Sequence, residues 1–434
     1  MTTMTTPKTL ASAQLFLREQ AARIEIDPLT NSVFALAQTL FRDLERGDAK
    51  ISDLSKLADE VHLDLIEERA ERFRDQHSGG KAKTAWASLT EELEALAGQG
   101  FEAFKARVEQ STGGIVFTGH PTFALSRDLR TALADHVVSA TKTSRTALQR
   151  QIRADSRAWN QQISLQGEHD EVQDAVEHAA NAQLAYASVL ISVARKAFPD
   201  DWRSLKIYVP TIACWVGYDL DGRADIHWSQ SLTFRLTEKA VQLGRYAAQL
   251  EAISGSQKIG PLAKLTQRLK TAAEDTAGHA ALFAADLTDP DNLVPAANAL
   301  TAPSKRNVLD ASEIVDVLDE VIATAEDGLA AKLMAIRAQV EALQLGTARI
   351  HLRVNAAQVR TVINRDLGLQ TEDRELGRLA LAELAQKARK SKPVQVNFAD
   401  LFLEQSTARR QFMMCAQILK HIDAGSVIRF LIAE

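Results

Sequence analysis

Gly113-Gly114-Ile115-Val116-Phe117-Thr118-Gly119-His120-Pro121-Thr122 is the stretch on which the fold turns. Ile115 to Phe117 is a short apolar, β-favouring run bounded by glycines and a polar turn, which reads as a buried strand. Long helical patterns flank it on both sides. A histidine at the carboxyl end of a buried strand, just before a helix, sits where open α/β sheets and β/α barrels place their chemistry. His120 is therefore the first candidate for catalysis. Its imidazole titrates nearest neutrality and can move a proton or pair with an anion. The competing reading is a buried histidine satisfied by backbone.

Three further stretches read as strands: residues 204–216, 348–355 and 426–433. In the second, Ile350, Leu352 and Val354 alternate with polar residues at a two-residue period. Elsewhere apolar residues recur at helical spacing. The pattern predicts single long helices over 123–153, 170–198 and 398–422, and the longest of all over 310–345. Residues 286–305 hold three of the ten prolines and read as a long loop. Four short strands separated by helices imply parallel pairing through helical crossovers. The last strand ends the sequence with nothing after it to cover its edge. The expected architecture is mostly α with a parallel β component: the N-terminal half of a helix-rich, TIM-like β/α barrel, with four strands. Residues 1–110 read as an N-terminal helical region. Residues 111–434 read as the first half of the β/α barrel with helical insertions, the whole forming one continuous domain.

Composition excludes several classes. The net charge of −5 leaves no electrostatic footprint for nucleic acid. No apolar run approaches the roughly 20 residues of a membrane span, and the Thr-rich start lacks a signal-peptide core. The expectation is a cytoplasmic protein. Two cysteines far apart, Cys214 and Cys415, suggest core packing rather than a disulfide framework or thiolate zinc site. The other histidines show no HxxH or HExxH spacing, so no metal site is expected within this chain. Nucleotide, dinucleotide and serine-hydrolase loops are absent from the sequence.

Gly217-Tyr218-Asp219-Leu220-Asp221-Gly222 places two carboxylates two residues apart just beyond a strand. Asp219 and Asp221 either orient basic side chains or bind a cation, or they make a tight turn that caps a helix.

Together these stretches resemble the N-terminal half of a phosphoenolpyruvate carboxylase. Residues Val116 to Thr122 resemble that family's V-(L/F)-T-A-H-P-T-E signature, whose histidine is catalytic. Cys214 to Gly222 resembles S-W-M-G-G-D-R-D-G-N, and Leu352 to Arg360 resembles L-D-I-R-Q-E-S-T-R. Residues 425–433 are similar to the strand ending in Y-I-I-S. The resemblance implies carboxylation of phosphoenolpyruvate by bicarbonate, through carboxyphosphate and an enolate, to oxaloacetate and phosphate. This is an anaplerotic step feeding the tricarboxylic acid cycle. It implies His120 as the catalytic residue, with Arg353, Arg360, Asp219 and Asp221 shaping the substrate site. It also implies Mg2+, with ligands outside this chain, and assembly with a C-terminal half or as a homo-oligomer. Phe123 stands for the family's Glu, Leu220 for the arginine of D-R-D-G, and Asn355 for the arginine of L-D-I-R-Q. Those departures point to an alternative: a catalytically inactive homologue acting as a binding or assembly module.

Overall fold

A computed structural model of the chain describes residues 9–76, 82–119, 125–155, 163–219, 226–254, 259–367, 378–390, 392 and 396–433. The chain is mostly helical with one small parallel sheet, and among the described residues no helix is long and apolar enough to cross a membrane. It divides into two compact units, one of residues 1–84 and 121–163, the other of residues 85–120 and 164–434.

The first unit is helical throughout its described residues. Ile66, Leu129, Leu148 and Ile152 form its core. Arg145 grips Glu67 with Nε and Nη2, both at 2.7 Å, the two-pronged geometry in which a guanidinium holds a carboxylate best. The long helix expected over 123–153 is two helices, Arg127–Val138 and Lys142–Asp155. Hydroxyls cause the break. Ser144 donates to the carbonyl of Ser139 at 2.6 Å, and the Thr141 hydroxyl accepts from the Ser144 amide at 3.1 Å, so side chains satisfy backbone that a helix would otherwise pair. The first of these helices is capped by Ser126, whose hydroxyl accepts from the Leu129 amide at 3.2 Å. Thr122 lies outside the described residues.

The second unit holds the sheet. Its strands are β1 (Gly114–Phe117), β2 (Thr211–Cys214), β3 (Arg349–Asn355) and β4 (Val427–Ala433), all parallel, in the order β1-β2-β3-β4. All four fall within the stretches read as strands. The second is much shorter than its stretch, because residues 205–210 run outside any ladder before β2 begins. The alternation in β3 works as expected. Ile350, Leu352 and Val354 are buried, the first two in a core with Leu232, Phe283, Met414 and Ile418. Arg349, His351 and Arg353 take the opposite face. A larger core, built on Phe104, Leu190, Trp202, Tyr246 and Leu333, lies among the helices.

Three helix boundaries differ from expectation. Residues 286–305 are not a loop: Pro290–Thr301 is a helix. Proline suits the first helical position, the Asp289 carboxylate accepts from the Asp291 amide at 2.9 Å, and Leu293, Ala296 and Leu300 are buried on one stripe. The helix expected over 310–345 is two, Ser312–Thr324 and Asp327–Leu343, because Glu326 accepts from the Gly328 and Leu329 amides and starts a new helix. The longest described helix is instead Leu165–Ala197. The helix expected over 398–422 is likewise split, into Phe398–Leu403 and Thr407–His421, the second capped by Ser406. Cys214 is buried and Cys415 largely so; burial raises both thiol pKa values, which makes them inert packing groups.

One polar network pins helices to strands. Arg235, fully buried on the Trp228–Ser254 helix, donates to Glu238 at 3.0 Å, to the Ala348 carbonyl at 2.8 Å and to Asp423. Lys239, one helical turn on, donates to Asn307 at 2.8 Å and the Ile422 carbonyl at 2.6 Å. Removing one partner of a buried ion pair leaves the other uncompensated, at about 3–5 kcal/mol. Arg235→Met is therefore expected to lose stability on that scale in chemical denaturation; a loss below about 1 kcal/mol would show the network to be dispensable.

Burial pushes the Lys239 amine down to about 7. The folded chain then carries it neutral between about 7 and its ordinary 10.5, where the unfolded chain still binds the proton. Stability should rise with pH across that window. Denaturation curves of Lys239→Met should be flatter there than those of the wild type, and equal slopes would refute the assignment.

Candidate functional site

The carboxyl ends of β1, β2 and β3 meet at one cluster. Past β1 the chain runs through Thr118 to Gly119, whose φ of +77° favours glycine. A Cβ there would also stand 2.5 Å from Glu168 Oε1 and 2.7 Å from Val216 Cγ2. Past β2, Gly217 turns at φ +85°, and a Cβ would stand 2.5 Å from the Phe234 ring. Both exits are closely packed.

Trp215 joins the first two strand ends: its indole Nε1 donates to the Thr118 carbonyl at 2.7 Å. Arg353 joins the third. Its guanidinium carbon lies 4.7 Å from the centroid of the Trp215 ring, and its Nη1 donates to Asp219 Oδ2 at 3.2 Å. A cation over an indole face is held by the ring's quadrupole. The backbone repeats the pairing, since Asp219 and Arg353 form a parallel bridge. Both side chains are partly exposed, at 17% and 27%. They are held in place yet open to a ligand.

A buried layer supports this cluster. Gln411 donates to the Tyr218 carbonyl at 2.9 Å. Glu238 meets His169 Nε2 at 3.1 Å and accepts from the Tyr218 hydroxyl at 3.3 Å. Burial, with that carboxylate beside it, holds the Tyr218 hydroxyl well above its ordinary pKa, so it remains a donor. The His169 ring stacks on Phe234 with centroids 4.0 Å apart.

The structure thus brings Asp219 and Arg353 together. His120 and Asp221, with Phe123 and Leu220, lie outside the described residues; Gly119 ends β1's described exit one residue before His120. Arg360 is exposed on the Ala356–Leu367 helix, and among the described residues no hydrogen bond links it to Asp219 or Trp215. Asn355 caps that helix, its Oδ1 accepting from the amides of Ala357 at 2.9 Å and Gln358 at 3.3 Å. The sequence reading did not single out Trp215, although it adjoins the Asp219 turn. It had no means of finding Glu168, His169, Glu238 or Gln411, which are remote in sequence and lie in ordinary helical patterns.

Among the described residues no group of three His, Cys, Asp or Glu side chains could hold a metal ion, and the Asp219 carboxylate is taken by a cation.

No protein-family model matches the chain, and no curated protein matches it.

A double-mutant cycle on Asp219→Asn and Arg353→Gln tests the central pair. The coupling energy is expected at about 1 kcal/mol, as for a partly buried pair with fixed geometry. Additive effects would mean that the two side chains do not stabilise one another.

Proposed function

We propose that this chain carries part of an active site of the phosphoenolpyruvate carboxylase type, working as a fragment or as one subunit of a split enzyme. The observation that carries the reading is the meeting of Arg353, Trp215 and Asp219 at the exits of three parallel strands, with His120 following the packed Gly119 turn. A guanidinium oriented by a carboxylate, standing over an indole on an open strand end, is suited to hold an anionic substrate. In the proposed reaction a bicarbonate oxygen attacks the phosphorus of phosphoenolpyruvate. The P–O bond to the enol breaks, giving carboxyphosphate and the enolate of pyruvate. The carboxyl group then passes to the enolate carbon, leaving oxaloacetate and phosphate. Arg353 would bind substrate charge, Asp219 would position Arg353, and His120 would manage the proton at carboxyphosphate. Arg360 and Asp221 would complete the binding surface, and any magnesium would be held by groups outside this chain.

The sheet supports the finer fold that goes with this reading, the first half of a β/α barrel. A doubly wound sheet adds strands on both sides of its first strand; here each strand joins the one before it, as in a barrel wall. The two outer strands expose apolar side chains, among them Ile115 at 49% and Ile432 at 57%. Further strands, from a C-terminal half or a second copy, would cover such edges.

Asn355 favours the second reading. Where the resemblance calls for an arginine, the side chain caps a helix instead, as befits an inactive homologue retained for binding or assembly. The two readings separate in a coupled assay for oxaloacetate from phosphoenolpyruvate, bicarbonate and magnesium, run on the chain alone and with a candidate C-terminal half. Activity in the mixture is expected, falling at least about 100-fold with Arg353→Gln and with His120→Asn. Full activity in either variant would remove that residue from the mechanism. A well-folded chain inactive in both settings would leave the binding module.

A further inference from the structure

A second site lies at the other end of the same sheet. A cavity of about 500 Å3 opens on the face that carries Arg349 and His351, and it takes Lys206 from the approach to β2 and Arg429 from β4. His351 and Arg429 are direct neighbours across the β3–β4 ladder. Two carboxylates, Glu109 and Glu341, also line it. Glu341 is engaged by Arg337 Nη1 at 3.3 Å and also faces Lys206 electrostatically. Glu109 accepts from the Lys206 amide at 2.8 Å.

Arg349 is the most telling group. Its Nη1 donates to the Ala342 carbonyl at a long 3.4 Å. Its Nε is buried and has no hydrogen-bond partner among the described residues. Burial and the adjacent Arg429 also lower the pKa of the His351 imidazole, in keeping with a surplus of positive charge. The volume lies in the range of small-molecule sites, about 300–1,000 Å3.

We propose that this cavity binds a small anion through its phosphoryl group, held by Arg349, Arg429 and Lys206. Guanidinium groups match the paired oxygens of a phosphoryl group. Arg349 precedes Arg353 by four residues on the same strand face, a separation of about 13 Å at strand rise, so the site is distinct from the Trp215–Arg353 cluster. It does not depend on the carboxylase reading.

The test is calorimetric titration of the full chain with inorganic phosphate and, separately, with glycerol phosphate at matched ionic strength. Saturable binding at this cavity is expected, weakened about tenfold or more by Arg429→Gln and by Lys206→Gln. Both side chains are exposed, so neither substitution disturbs the core. Arg353→Gln should leave the affinity unchanged within about twofold. Tighter binding of the ester supports the site and identifies an organic phosphate as its ligand; equal or tighter binding of the free ion supports it and identifies phosphate. Absence of saturable binding of either probe, affinity unmoved by both cation variants, or loss of binding in Arg353→Gln would each overturn the proposal.

Discussion

The Glu238 carboxylate is the constraint on which the sheet and its site both depend. It is 2% exposed, and a buried charge is tolerated only when it is paired and hydrogen-bonded. Here it is met by Arg235, His169 and the Tyr218 hydroxyl. Those partners come from the Trp228–Ser254 helix, the Leu165–Ala197 helix and the turn after β2. Through Arg235 the same network reaches the Ala348 carbonyl, just before β3, and Asp423, shortly before β4. One buried anion therefore relates three strands to two helices. Apolar packing alone would hold these elements together without fixing their register so strictly.

That register matters because the two faces of the sheet do different work. The face carrying Ile350, Leu352 and Val354 is sealed against helices. The other carries Arg349, His351 and Arg353 in succession, beside Arg429. Parallel sheets ordinarily bury both faces in apolar side chains. Three guanidinium groups on one face repel one another, and only some of that charge is answered by protein carboxylates. Such an arrangement is reasonable where anions are to be received and costly where they are not.

Much of this could be read from the amino acids, and the failures have physical causes. All four strands were legible because β-branched runs stood between turn residues, and the alternation in β3 correctly separated its buried and open faces. Helix continuity was misread wherever a polar side chain captured backbone: Ser144 and Thr141 in one break, Glu326 in another, Ser406 in a third. Periodicity registers apolar spacing and is insensitive to such captures. The prolines of 286–305 misled for a related reason, since Pro290 is a helix starter in its context. At the site, Asp219 and Arg353 were legible as residues but not as a pair. Their contact depends on the β2–β3 register, and Trp215 between them depends on its indole reaching the β1 exit. Glu168 and His169 are about fifty residues from Gly119, and only the fold brings them together.

Asn355, which stands where the proposed reading calls for an arginine, has a geometric consequence. Two residues along a strand keep the same face and shift position by about 6.6 Å. With Asn355 committed to capping the Ala356–Leu367 helix, the cation nearest the strand end is Arg353. It lies one pleat deeper, against Trp215 and Asp219. An anion bound there would sit closer to the Thr118 carbonyl and the Gly119 turn than one held by a residue at 355. It would also be bound by a guanidinium whose charge is already shared with a carboxylate. Sharing that charge weakens the guanidinium's grip on the anion. In the proposed site an anion would therefore sit deeper against the β1 exit and be held less tightly than by a free arginine at position 355.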